Sequence, residues 1–90
     1  MINTAIRHSV TDYAQWKSVY DTFLPTTAGA KYARVNRSLE DPNLVTVVAG
    51  FDTLELAKTF LNDPNLKAKM TEAGVVGSPR IEINEEVESI

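Results

Sequence analysis

Residues 44–51 read Leu44-Val45-Thr46-Val47-Val48-Ala49-Gly50-Phe51, a run that carries no charge and has apolar side chains at both odd and even positions. Successive strand residues point to opposite faces of a sheet. A run apolar on both parities therefore suits a strand in the middle of a sheet that is covered on both sides. Val45, Val47, Ala49 and Phe51 form one set, and Leu44, Thr46, Val48 and Gly50 form the other. Packed helices can cover only one of the two.

The flanks of this run give the neighbouring elements. Upstream, Glu40-Asp41-Pro42-Asn43 is a turn, because Pro42 presets its own dihedral while Asp41 and Asn43 can bond the local backbone. Before it, residues 31–39 alternate as a second strand, with Ala33, Val35, Arg37 and Leu39 against Tyr32, Arg34, Asn36 and Ser38. Downstream, Asp52 or Thr53 caps a helix, and Asp52 with Glu55 matches a capping box. Leu54, Ala57, Phe60 and Leu61 are its buried stripe. Asp63 and Pro64 restart a helix as cap and first helical residue. Leu66, Met70 and Ala73 continue its apolar face, and Gly74 is the left-handed terminator.

Further out, residues 2–10 alternate with Ile2, Thr4, Ile6, His8 and Val10 on the more apolar side. Thr11 or Asp12 then caps a helix whose stripe is Tyr13, Trp16, Val19, Tyr20, Phe23 and Leu24. Pro25 ends or kinks it, and a short turn carries on towards Gly29. After Gly77-Ser78-Pro79, read as a turn, the last strand spans residues 80–87. Ile81, Ile83, Glu85 and Val87 fall on one face of it, and Glu82, Asn84 and Glu86 on the other.

The order β-α-β-β-α-β over residues 1–90 predicts one α+β domain of ferredoxin-like topology: a four-stranded antiparallel sheet in order 4-1-3-2 with the helices on one face. The uncovered set of the third strand predicts a homodimer through the open sheet face, since exposed apolar patches mark interfaces and a two-fold axis is the simplest way to cover one.

Composition excludes several function classes. The 90 residues contain no cysteine and one histidine, so neither a disulfide framework nor a multi-histidine or thiolate metal site is expected within one subunit, and no cofactor is called for. The nine lysines and arginines are scattered and the net charge is -3, which argues against nucleic acid. No apolar run approaches membrane-spanning length, and Met1–Arg7 does not resemble a signal peptide, so a cytoplasmic location is expected.

The residues suited to chemistry are few. His8 lies near the end of the first strand and close to the start of the first helix, where a neutral imidazole could serve as acid or base; the plainer alternative is a buried histidine bonded to backbone or to a tyrosine. Trp16 is either core or one wall of an aromatic substrate pocket with Tyr13, Tyr20, Phe23 and, from the later helix, Phe60. Arg37 shares the inward parity and could hold a carboxylate or phenolate as a second catalytic group; otherwise it is solvated or paired with Glu40 or Asp41. Glu85, on the face of Ile81 and Ile83, is a candidate to orient His8.

Three segments, His8-Ser9-Val10-Thr11-Asp12-Tyr13-Ala14-Gln15-Trp16, Asp41-Pro42-Asn43 and Ala73-Gly74-Val75-Val76-Gly77, resemble small proteins of the dimeric α+β barrel superfamily, in particular the antibiotic biosynthesis monooxygenase-like domains. The resemblance implies two sheets packed face to face in a homodimer. It also implies a cofactor-free monooxygenase-like enzyme acting on an aromatic or polyketide-like molecule, with a non-catalytic dimeric ligand-binding or assembly module as the alternative. The asparagine–tryptophan–tyrosine or asparagine–tryptophan–histidine sets of such oxygenases place the tryptophan in the later helical region, where this chain has Phe60 and Leu61.

Overall fold

Alternation at the N-terminus becomes strand β1, Ile2–Val10, whose buried residues Thr4, Ile6, His8 and Val10 share one face. The computed structural model, which describes residues Met1–Ile90, continues with helix α1 (Tyr13–Tyr20), a 3₁₀ turn (Pro25–Ala28), strands β2 (Tyr32–Arg37) and β3 (Leu44–Phe51), helices α2 (Leu54–Leu61) and α3 (Pro64–Glu72), and strand β4 (Val75–Glu85). All pairings are antiparallel and the sheet order is β2-β3-β1-β4, the ferredoxin-like arrangement expected from the sequence.

β3 is central and its two faces differ as its parity requires. Val45, Val47, Ala49 and Phe51 are buried, packing with Trp16, Phe60 and Ala57 from the helices. Leu44, Thr46 and Val48 are half-buried on the open face. Gly50 is buried there because the Tyr32 ring of the neighbouring strand lies across it; a Cβ at Gly50 would collide with that ring. The Tyr32 hydroxyl and Asn3 Oδ1 are hydrogen-bonded, and the Arg34 guanidinium sits 4.3 Å above the same ring. The open face is thus ordered by its own cross-strand contacts, with apolar residues at its centre.

Several boundaries differ from the sequence reading. The first helix stops at Tyr20, short of Leu24, through tightened bonds from the Thr22 and Phe23 amides to the Val19 and Tyr20 carbonyls. Pro25 accounts for the early exit, because the residue before a proline avoids the helical region and Leu24 accordingly has ψ 140°. β2 ends at Arg37, leaving Leu39 fully exposed in the turn. Thr53, not Asp52, caps α2: its hydroxyl accepts from the Leu56 amide at 3.2 Å, while Asp52 pairs with Lys31 at 3.3 Å, so the Asp52–Glu55 capping box does not form. Asp12 and Asp63 cap α1 and α3 as expected, and Gly74 follows α3 at φ 80°.

The largest difference lies in β4, which begins at Val75 rather than near Arg80. Ser9 pairs with Val76 and Arg7 with Arg80, so Gly77, Ser78 and Pro79 stand opposite the single residue His8. The three residues read as a turn are a wide bulge within a strand: Gly77 adopts φ 72°, Pro79 has no amide to give to the ladder, and the chain resumes its course.

Candidate functional site

β1 carries the site because its inward parity places a polar ring among hydrocarbons. His8 is 4% exposed, and neither Nδ1 nor Nε2 has a hydrogen-bond partner in the protein. Burial holds its pKa below the ordinary value of 6.5, so the ring is neutral at pH 7, with one donor and one acceptor nitrogen. An unpartnered buried polar group costs free energy, on the order of 1–3 kcal/mol per group, which a guest bonded to the imidazole would recover. Thr4, the other buried polar residue of β1, satisfies its hydroxyl on the Ala49 carbonyl at 3.4 Å.

A cavity of about 40 Å³ adjoins His8. Its walls are Ile6 and Val47 from the sheet, Trp16, Val19 and Tyr20 from α1, Phe23 and Pro25 after it, Phe60 from α2, and Leu66, Lys69, Met70 and Ala73 from α3 and its end. The Trp16 ring lies 5.7 Å from the His8 ring and stacks on Tyr20 at 4.8 Å. Burial also raises the Tyr20 pKa, which keeps its phenol protonated. The chamber as it stands has room for a few water molecules and none for an aromatic ring.

Of the residues singled out from sequence, His8, Trp16, Tyr20, Phe23 and Phe60 are brought together here. Tyr13 and Arg37 are not. Tyr13 packs on the outer side of Trp16 at 5.8 Å, and the exposed Arg37 guanidinium lies 3.9 Å above the Tyr13 ring while its Nε donates to the Pro42 carbonyl at 3.0 Å. The inward parity of Arg37 is real, but its side chain closes over Tyr13, the first residue of α1, instead of reaching the cavity. Glu85 cannot orient His8. It pairs opposite Ile2, at the far end of β1, about 20 Å along the strand from His8. The α3 residues Leu66, Lys69 and Met70 were not foreseen as site residues; the sequence marked Leu66 and Met70 only as an apolar stripe. There is no cluster of three or more metal-ligating side chains, and no helix is long and apolar enough to cross a membrane.

The arrangement of sheet and helices is similar to that of solved proteins described as antibiotic biosynthesis monooxygenases, the fold that the sequence resemblance implied. A Deinococcus radiodurans protein assigned as an antibiotic biosynthesis monooxygenase superposes with a TM-score of 0.79 at 18% identity, covering 100% of this chain and 96% of that one. SnoaB, a cofactor-independent oxygenase from Streptomyces nogalater, gives 0.78 at 13% identity, covering 99% and 95%. A conserved protein from Methanosarcina mazei gives 0.77 at 13% identity, covering 94% and 91%. At such identities the likeness extends to the fold. No protein-family model matches the sequence, and no curated protein does.

Proposed function

We propose that the chain is a cofactor-free monooxygenase-like enzyme that acts on a hydroxylated aromatic or polyketide-like molecule held between the helices and the sheet. The observation that carries this reading is the buried, neutral and unpartnered imidazole of His8 beside the Trp16–Tyr20 stack. A neutral imidazole walled by apolar side chains accepts a proton from an acidic C–H or phenolic O–H and so makes the substrate electron-rich. In the simplest reaction of this type, a methylene between hydroxylated rings becomes a carbonyl. The substrate loses two hydrogens, gains one oxygen atom of O₂, and the second oxygen leaves as water. The electrons come from the substrate, and His8 takes up the proton that it releases. The name of SnoaB, a cofactor-independent oxygenase of the same fold, supports this choice.

The test is oxygen consumption with a hydroxyanthrone against a protein-free control. His8→Gln, which keeps a polar side chain but cannot act as a base, is expected to lower the rate about 10²-fold or more. An unchanged rate would remove His8 from the chemistry. Uptake no faster than the control would favour the non-catalytic reading.

The functional unit we propose is a homodimer through the open sheet face. Ala5, Leu44, Val48 and Val76 lie on that face, Val76 is 53% exposed, and the helices are all on the other side.

A further inference from the structure

Leu66 and Met70 line two spaces at once: the inner cavity beside His8 and a surface groove of about 310 Å³ between α3 and β4. The two side chains are the partition between them. The groove exists because the bulge at Gly77–Pro79 diverts β4 opposite His8, and Gly77 and Pro79 form its outer wall. Inner cavity and groove therefore lie at the same level of the sheet. Neither suffices alone. The inner cavity has the polar group but no volume; the groove has a volume at the lower end of ligand sites but no buried polar group.

The partition is built to yield. α3 buries none of its residues, Leu66 and Met70 are only half-buried, and the helix is bounded by Asp63–Pro64 and by Gly74. Methionine, unbranched and with several rotatable bonds, changes shape at low cost. Among the residues lining the groove Lys67 alone is charged, and it makes no ion pair, unlike Lys69, which is held by Glu72 at 3.5 Å.

We propose that the cavity and the groove are two ends of one ligand site joined when Leu66 and Met70 move, and that it takes a planar aromatic acid. The ligand's hydroxyl or carbonyl bonds His8, its rings pass Met70, and its carboxylate meets Lys67. This assignment rests on the ligand-binding reading of the His8 cavity and adds the passage, the outer anchor and the acidic class of ligand.

Equilibrium dialysis with a naphthoate whose hydroxyl and carboxylate lie at opposite ends of the ring pair, against the matching naphthol, tests it. The acid is expected to bind at least tenfold tighter than the naphthol. Lys67→Glu, on an exposed helix face where folding is safe, should abolish that preference and leave naphthol binding unchanged. Met70→Trp, which blocks the passage, should weaken both ligands at least tenfold, its folding checked by thermal melting. Equal binding of acid and naphthol, indifferent to Lys67→Glu, would overturn the proposal while leaving the His8 site standing. Full binding by a folded Met70→Trp protein would likewise overturn it. Binding of neither ligand would overturn both this assignment and the reading it rests on.

Discussion

His8 shows what a sequence discloses about a single residue and what it leaves out. Its burial follows from strand parity, since Thr4, Ile6 and Val10 share its face and all are buried. Its lack of a partner does not, because Glu85 has the right parity and only the register shows it opposite Ile2. Arg37 fails in the complementary way: the parity is right, but Tyr13 at the start of α1 takes it up before it can reach the cavity. The unpartnered imidazole has a consequence for stability. Because burial lowers the folded-state pKa of His8, the unfolded chain binds the extra proton first as pH falls below about 6.5. Stability is fully present above that pH and declines as pH drops towards the lowered folded-state value. Denaturant titrations from pH 7 downwards are expected to show this decline in the wild type and a smaller one in His8→Gln. Identical slopes would mean that His8 is charged or solvated in the folded protein.

Elements were legible where their signal was local and periodic. β3 spans Leu44–Phe51 as its doubly apolar run requires, and α3 starts at Asp63–Pro64 because cap and proline act within one turn. The start of β4 is not legible because glycine, serine and proline signal a turn and a bulge equally well; the choice between them depends on whether β1 continues to pair beyond the interruption, which it does through Val75 and Val76. The adjacent candidates Asp52 and Thr53 were likewise equivalent in sequence, and the direction of the chain leaving β3 gives the cap to Thr53. Thr53→Ala should therefore cost about 1 kcal/mol in chemical denaturation, and Asp52→Ala only a few tenths, since its exposed pair with Lys31 contributes little. The reverse order would restore the Asp52 capping box.

At the scale of the molecule, the sheet order and the side covered by helices followed from the order of elements, whereas the cavity did not. Its size depends on how closely Leu66 and Met70 approach Phe60 and Trp16, a matter of packing that periodicity does not encode. The association state belongs to this scale as well. A homodimer through the open face predicts sedimentation at twice the 9.9 kDa chain mass at micromolar concentration. Val48→Arg, placed beside Arg34 in the β2–β3 register, should shift the protein to monomer by charge repulsion and desolvation. A wild-type protein that sediments as a monomer would remove the interface.

On the function proposed above, His8 is held neutral and without a partner so that a bound molecule supplies one. Since the chain has one histidine, untagged protein labelled with nitrogen-15 histidine gives a single pair of imidazole resonances. At pH 7 we expect the pattern of a neutral ring, and on addition of naphthol a shift of the non-protonated nitrogen as it accepts a hydrogen bond. A charged ring at pH 7, or resonances unmoved by hydroxyaromatic ligands at saturating concentration, would rule out this role for His8.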